Sequence, residues 1–333
     1  MLLAIIAGAC QRIAAATPEA DFAARCAASG VLVCEGFDSA STFVYSQSQS
    51  QGLYPISGTQ TIRGFQDSAI KASGTSSLRF DILTNTQDDN SGAFTKNFGQ
   101  TFSQNSTFYV QFRQRFDSNM LSIDWSGLMG TAYKQAIMYD KDGFTCANIE
   151  LTTVVNDLNG NTKNQPIMYS ECGSGHAWGT VTDPSLYRAS TPLLIQQGTD
   201  LTRGYNCQYG SENVIGTGNG VGCFNHIADK WITFYYKIRV GTWNSANSSI
   251  EAWVSFDGGP YLQWTNIRNY TLRNDGNSAG GWSKIMLTSY MTNKNSSVAH
   301  ATAKTWYDEL IISTQPIVAP GRAYPAPMNL RVQ

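Results

Sequence analysis

Removing a proton from the carbon beside a uronate carboxylate and then expelling the glycosidic oxygen needs three kinds of side chain. A cation or amide must neutralise the carboxylate, a base must take the proton, and an acid must supply one to the leaving oxygen. Several segments offer such groups. Phe108 to Phe116, FYVQFRQRF, places Tyr109, Gln111, Arg113 and Arg115 on one side of a strand and Phe108, Val110, Phe112 and Phe116 on the other. Gln135 stands in YKQAIMY, Tyr290 in LTSYMTN, and His176 in the Gly-rich SECGSGHAWG beside Trp178. Arg113 and Gln135 suit charge neutralisation, His176 is the first choice for a base, and Tyr290 suits proton transfer. Tyr109, Gln111 and Arg115 would then hold substrate. Trp253 alternates away from the Ile250, Ala252, Val254 face and is the best candidate for a platform on which a sugar ring stacks. The plainer alternatives are cross-strand ion pairing for Arg113 and Arg115, turn positions for His176, His226 and His300, and core packing for any single Trp.

Other chemistries fit less well. Glycoside hydrolysis needs two carboxylates at a set separation on one face. Asp308 and Glu309 are adjacent, so regular alternation points them to opposite faces, and Glu251 has no same-face acid nearer than Asp257. No Cys/His spacing suits a transition metal. No cofactor is required by the chemistry, and calcium is the one ion that the abundant oxygen ligands would favour. The balance of 23 Lys and Arg against 24 Asp and Glu, with no basic stripe, argues against a nucleic acid partner.

The elements that must position these residues are mostly strands. Period-2 alternation bounded by Gly, Asn and Ser marks Ser77 to Ile82, Phe108 to Phe116, Ala136 to Tyr139, Ile149 to Val155, Ile167 to Ser170, Trp231 to Val240, Ile250 to Phe256, Lys284 to Met291 and Thr305 to Ile312. Asn159 and Gly160 suit a tight hairpin turn. The pattern predicts an all-β fold of two antiparallel sheets packed face to face. One short helix is expected over 17–30, with Thr17 as N-cap, Pro18 at the first turn and Gly30 as stop. The domain then runs over 31–315, and the Pro-rich segment 316–333 is expected to lie on the surface.

Met1 to Cys10, MLLAIIAGAC, is apolar but too short to span a bilayer, so residues 1–16 read as an export segment. Ala7, Gly8, Ala9 and Cys10 also resemble in part a bacterial lipoprotein cleavage box, which would put a lipid anchor on Cys10. The other six cysteines fall in local pairs, Cys26 with Cys34, Cys146 with Cys172 and Cys207 with Cys223. Disulfides between neighbours, formed in an oxidising secreted or cell-surface compartment, are the simplest arrangement.

The order KWITFYYKIRVGTWN, IEAWVSFDGGPYLQW, KIMLTSYMTNKN, TWYDELIIS resembles the concanavalin A-like jelly roll, closer to its polysaccharide-lyase and laminin-G-like members than to legume lectins. The resemblance implies that CEGFDSAS opens a strand pairing with the last one, and that a structural calcium sits near Asp38 and Asp308. It also implies lyase roles for Arg113, Gln135 and Tyr290, although Arg113 lacks the family's Thr-Glu-Leu, Gln135-Ala136-Ile137 lacks the following His, and Tyr290 lacks the Lys four residues earlier. The glucanase ExDxxE is absent. Three functions follow in order: lyase-like β-elimination on an acidic glycan by a secreted protein, a non-catalytic carbohydrate-binding or adhesive module, and a structural surface or virion protein.

Overall fold

Strands with one apolar face must bury it, and this chain does so by laying two antiparallel sheets against each other. The computed structural model of the protein describes residues 16–45, 51–54, 64–86, 92–125, 133–139, 148–154, 165–171, 194–196, 226–243, 245–271, 280–291 and 294–321. Helix α1 (Pro18–Cys26) is followed by β1 (Val31–Glu35), a 3-10 turn (Ala40–Phe43), β2 (Gly52–Tyr54), β3 (Gly64–Asp67), β4 (Ser77–Ile82), β5 (Ala93–Phe102), β6 (Thr107–Phe116) and helix α2 (Ser118–Ser122). Then come β7 (Tyr133–Tyr139), β8 (Asn148–Val154), β9 (Gln165–Glu171), β10 (Leu194–Gln196), β11 (Ile232–Arg239), β12 (Ala246–Phe256), β13 (Leu262–Thr271), β14 (Trp282–Met291) and β15 (Ala303–Ser313).

Sheet A has the order β13-β12-β11-β6-β15-β4-β3, with β1 also pairing with β15, and sheet B has the order β10-β9-β8-β7-β14-β5-β2. Between them Phe108, Phe112, Phe234 and Ile250 of sheet A pack with Phe94, Phe98, Met138 and Leu287 of sheet B. The alternating segments of the sequence all form strands, mostly a few residues longer than the pattern itself, and β1 pairs with the last strand as the resemblance implies. β8 and β9 are antiparallel neighbours, while Asn159 and Gly160 lie outside the described residues. Strand β5 escapes the pattern because Ala93, Phe94 and Thr95 are all buried, so both faces are covered and alternation is lost.

Helix α1 begins as expected: the Thr17 hydroxyl accepts the amide of Ala20 at 3.3 Å and Pro18 opens the first turn. It ends earlier than Gly30, capped at Ala27. Gly30 instead serves the turn into β1. Its φ is +85°, its carbonyl accepts the amide of Thr314 at 2.8 Å, and a Cβ there would lie 2.7 Å from the Thr314 hydroxyl. The segment after β15 departs from expectation too. Ile317, Val318 and Ala319 are buried against sheet A, because a row of apolar side chains on its outer face needs a cover. No helix among the described residues is long and apolar enough to cross a membrane.

Cys26 and Cys34 form a disulfide, with Cα atoms 5.6 Å apart. It ties the end of α1 to β1. Cys10, Cys146, Cys172, Cys207 and Cys223 lie outside the described residues. Alkylation of native protein without reductant should leave Cys26 and Cys34 unlabelled. Replacing both with Ser should lower unfolding free energy by about 2–3 kcal/mol, the loop-entropy value for so short a loop, read from denaturant midpoints.

His226 is buried against Phe116 and Phe234, with ring centroids 4.5 and 5.6 Å away, and burial pushes its imidazole down to about 3. The unfolded chain, with an ordinary value of about 6.5, binds a proton that the folded chain refuses. The stability from neutral His226 is therefore complete above about pH 6.5 and drains away as pH falls towards 3. The stability difference between wild type and His226→Phe, measured by urea unfolding from pH 7.5 to 4.5, should shift against wild type as pH drops. A pH-independent difference would refute this role.

Candidate active site

Strand alternation places Tyr109, Gln111, Arg113 and Trp253 on the outer face of sheet A, as the sequence requires, but that part of the face is covered. Helix α1 and residues 316–321 lie across it. Phe22, Tyr109, Tyr235, Trp253, Ile311 and Ile317 form one buried cluster, with the Tyr235 ring centroid 5.2 Å from Trp253 and 4.8 Å from Tyr261. Trp253 is 6% exposed and so offers no open platform. Of the other tryptophans, Trp243 and Trp282 lie in the core between the sheets.

A buried ionic cluster fastens this cover. Arg25 of α1 reaches Asp21 at 2.9 Å, the Gln111 side-chain oxygen at 2.5 Å, and Glu309. Glu309 also receives Arg113 at 3.2 Å. The Gln111 amide nitrogen donates to the Val318 carbonyl at 2.8 Å and to the Tyr261 hydroxyl. Gln111 thereby attaches both the helix and the C-terminal strap, while Arg113 is buried and held by Glu309. Arg115, one step along β6, stays partly exposed, bonded to Asp229 at 2.9 Å with its guanidinium 5.7 Å from the Trp306 ring. The ion-pair alternative describes both arginines.

The opposed-face argument for Asp308 and Glu309 fails at a bulge. Between Asp308 and Ile311 the register of β15 shifts, and Glu309 has φ +50°. Tyr307 and Leu310 face the core, while Glu309 turns outward to the arginines. Asp308 accepts the amides of Ala72 at 2.7 Å, Ser73 at 3.3 Å and Glu309 at 2.8 Å, and burial still pushes its carboxyl well up. Asp38 accepts from the Thr75 amide and hydroxyl and from the Ser76 amide. Both carboxylates thus shape the single loop 68–76 by accepting N–H groups. A cation would have to displace those donors, so this donor set does not fit calcium. Among the described residues no group of three or more His, Cys, Asp or Glu side chains is arranged to hold a metal.

Gln135 does not reach an outer face either. It lies at 0% exposure between the sheets, where its amide nitrogen donates to the side-chain oxygen of Gln114 on β6. The cause is a bulge in β7: Lys134 pairs with Thr152 and Ala136 with Leu151, leaving Gln135 as the extra residue beside inward-facing Ala136. Tyr290 belongs to sheet B. The expected convergence of Arg113, Gln135 and Tyr290 in one cleft therefore does not occur. His176 lies outside the described residues. His300 packs against Trp125 at 5.2 Å, with Nδ1 2.6 Å from the Ala301 carbonyl, and burial lowers its pKa.

What sheet B does present on its outer face was not expected. Tyr54, Ala93, Ile137, Tyr139 and Met286 make a compact patch. Lys284 on β14 pairs with Tyr139 on β7, its ammonium 4.4 Å from the ring centroid. At the far side of the patch the roles exchange: Lys134 on β7 pairs with Tyr290 on β14, with 5.4 Å from ammonium to ring. The Tyr54 hydroxyl donates to the Met286 sulfur, and burial raises the phenols of Tyr54 and Tyr139 above their ordinary value. They stay protonated at neutral pH and are donors. Lys284 is buried, whereas Lys134 and Tyr290 are both half-buried. A signal for this arrangement did exist in the sequence. YKQAIMY and KIMLTSYM each carry a Lys near one end and a Tyr near the other, and antiparallel pairing must set each Lys beside the other strand's Tyr.

No protein-family profile matches this sequence, and no curated protein sequence does. Among solved structures it is similar to the alginate lyase from Aplysia kurodai, with TM-score 0.50 and 11% identity over 76% of this chain and 87% of that one. It is also similar to endo-β-1,4-glucuronan lyase from Trichoderma reesei (TM-score 0.48, 12% identity, 81% and 94% covered). A third is the catalytic domain of the glycoside hydrolase family 131 protein from Coprinopsis cinerea (TM-score 0.45, 13%, 88% and 100%). The likeness to the Aplysia kurodai alginate lyase is one of fold, a sandwich of two antiparallel sheets.

The ionic cluster generates a stability prediction. Arg25→Met would leave Glu309 buried with one partner fewer and should cost about 3–5 kcal/mol in unfolding free energy. Arg113→Ala should cost less, yet clearly more than the roughly 0.5 kcal/mol typical of a surface strand position. Chemical denaturation of both variants checks the order; an Arg113→Ala protein as stable as wild type would contradict it.

Proposed function

We propose that the chain is a secreted polysaccharide-active protein that acts on acidic glycans by lyase-like β-elimination on the outer face of sheet B. The observation that carries this reading is the half-buried Lys134–Tyr290 pair, an ammonium 5.4 Å from a phenol ring on neighbouring strands, beside an aromatic patch. Two further facts are in keeping with it: the fold is shared with an alginate lyase, and the Cys26–Cys34 disulfide suits an oxidising compartment.

The roles follow from charge. The Lys134 ammonium neutralises a uronate carboxylate, which makes the adjacent C–H more acidic and stabilises the carbanion-like transition state. A base takes that proton, its electron pair forms the C=C bond, and the glycosidic C–O bond breaks. The leaving oxygen then takes a proton from the Tyr290 phenol. His176 remains the candidate base. Tyr139 and Tyr54, protonated and buried, pack beneath this part of the sheet.

A second reading, a non-catalytic binding module, is favoured by one observation. Arg113 and Gln135, the residues matching lyase neutralisers, are bound into the structure away from this face. Incubation with a panel of uronate polysaccharides, followed by ultraviolet absorbance of the unsaturated ends, separates the two. Turnover should be seen, and Lys134→Ala and Tyr290→Phe should each reduce kcat by about 100-fold or more without loss of fold. Binding without new absorbance would establish the module instead.

A further inference from the structure

The Lys134–Tyr290 pair stands on irregular backbone. In β7 the extra residue is Gln135. In β14 the register against β7 slips between Leu287 and Tyr290, so that Thr288 and Ser289 lie where regular pairing is interrupted. Two bulges thus lie side by side on neighbouring strands, directly next to the pair. Lys134 and Tyr139 are five positions apart and would face opposite ways on a regular strand. The extra residue at Gln135 is what lets both look outward. A bulge interrupts the ladder and leaves backbone groups in need of partners, which a dry interior cannot supply as water.

Those partners come from the other sheet. Tyr307 of β15, at 0% exposure, extends across the core so that its hydroxyl lies 2.7 Å from the Thr288 carbonyl and 2.9 Å from the Gln135 carbonyl, both acceptors for its proton. The same oxygen accepts from the Gln114 amide nitrogen at 2.9 Å, and that nitrogen also donates to Thr305 at 3.0 Å. Tyr133 adds a second hydroxyl to the Thr288 carbonyl at 3.2 Å. One phenol thereby clasps the carbonyl of the irregular stretch on each of two strands.

We propose that Tyr307 is a positioning residue: from beneath sheet B it fixes the paired bulges that aim Lys134 and Tyr290 at substrate. This deepens the catalytic reading of that pair and rests on it for its biological meaning. Removing the Tyr307 hydroxyl leaves two buried carbonyls short of a donor, and the irregular stretch then relaxes while the regular part of both strands holds. Lys284 and Tyr139 stand on that regular part and serve as the internal control.

The test uses the full chain with carbon-13 at the lysine ε-methylenes. A lysine held over an aromatic ring resonates upfield, so Lys134 and Lys284 should each give a displaced signal, assigned through Lys134→Arg and Lys284→Arg. In Tyr307→Phe the Lys134 signal should return to the bulk lysine position while that of Lys284 stays. An unchanged Lys134 signal in folded Tyr307→Phe overturns the proposal. So does loss of both displacements, which would mean general loosening. If Tyr307→Phe does not fold, Tyr133→Phe removes only the second hydroxyl and should move the Lys134 signal part of the way; no movement there overturns it. Where wild type turns over a uronate polysaccharide, Tyr307→Phe should lose about 100-fold in kcat with KM within about twofold. Absence of wild-type turnover would sink the catalytic reading alone, because the resonance of Lys134 decides the positioning claim by itself.

Discussion

The carboxylate of Glu309, buried between the guanidinium groups of Arg25 and Arg113, is the constraint on which the arrangement of the molecule turns. An ion so far from water costs several kcal/mol unless it is paired and hydrogen-bonded. One of its partners belongs to a helix outside the sandwich, so that helix must lie down on sheet A for the charge to be met. The Cys26–Cys34 bridge begins one residue after Arg25 and limits where the helix can go. The strap after β15 completes the enclosure, since Gln111 bonds both Arg25 and the Val318 carbonyl, and Asp21 bonds both Arg25 and the Gly321 amide. The middle of the outer face of sheet A is therefore given over to structure.

On the outer face of sheet B the important variable is parity. Regular strands distribute side chains by twos, and a reaction site needs groups whose sequence positions do not obey that rule. The bulges beside Lys134 and Tyr290 resolve the conflict locally, leaving the ladder on either side intact. Their cost, interrupted backbone pairing, is met by hydroxyls from the core. A packed interior thus does more than hold the sheets together: Tyr307 and Gln114 carry information about which residues face the solvent on the far side. The buried Lys284–Tyr139 pair shows the same chemistry on regular backbone, where burial rather than a bulge sets its character.

Much of the fold was legible because it rests on pattern. Phe108 to Phe116 and Trp231 to Val240 alternate cleanly, for they have one core-facing side, and helix α1 announces itself with Thr17 and Pro18. The face of each residue could be read as well. What covers that face could not, because alternation says that Arg113 and Trp253 look away from the core but not that helix α1, Pro18–Cys26, packs on the same face. Glu309 and Gln135 were misjudged for a different reason: each sits at a bulge, where the period of two that supports the inference is broken. The cysteine pair was legible because a separation of eight residues leaves few geometries.

The same considerations govern how residue roles pass between proteins that share this fold. At 11% identity the jelly roll persists because its core asks only for apolar side chains of suitable volume at alternating positions, a condition many sequences meet. A catalytic role asks for a given side chain on a given face with nothing above it. Arg113 matches by type yet is paired with buried Glu309, and Gln135 matches by motif yet points between the sheets. Lys134 and Tyr290, by contrast, are brought together by strand pairing and kept partly open. The physical criterion for a site in this chain is therefore what covers a residue and what its polar atoms are already bonded to, and by that criterion neither Arg113 nor Gln135 qualifies.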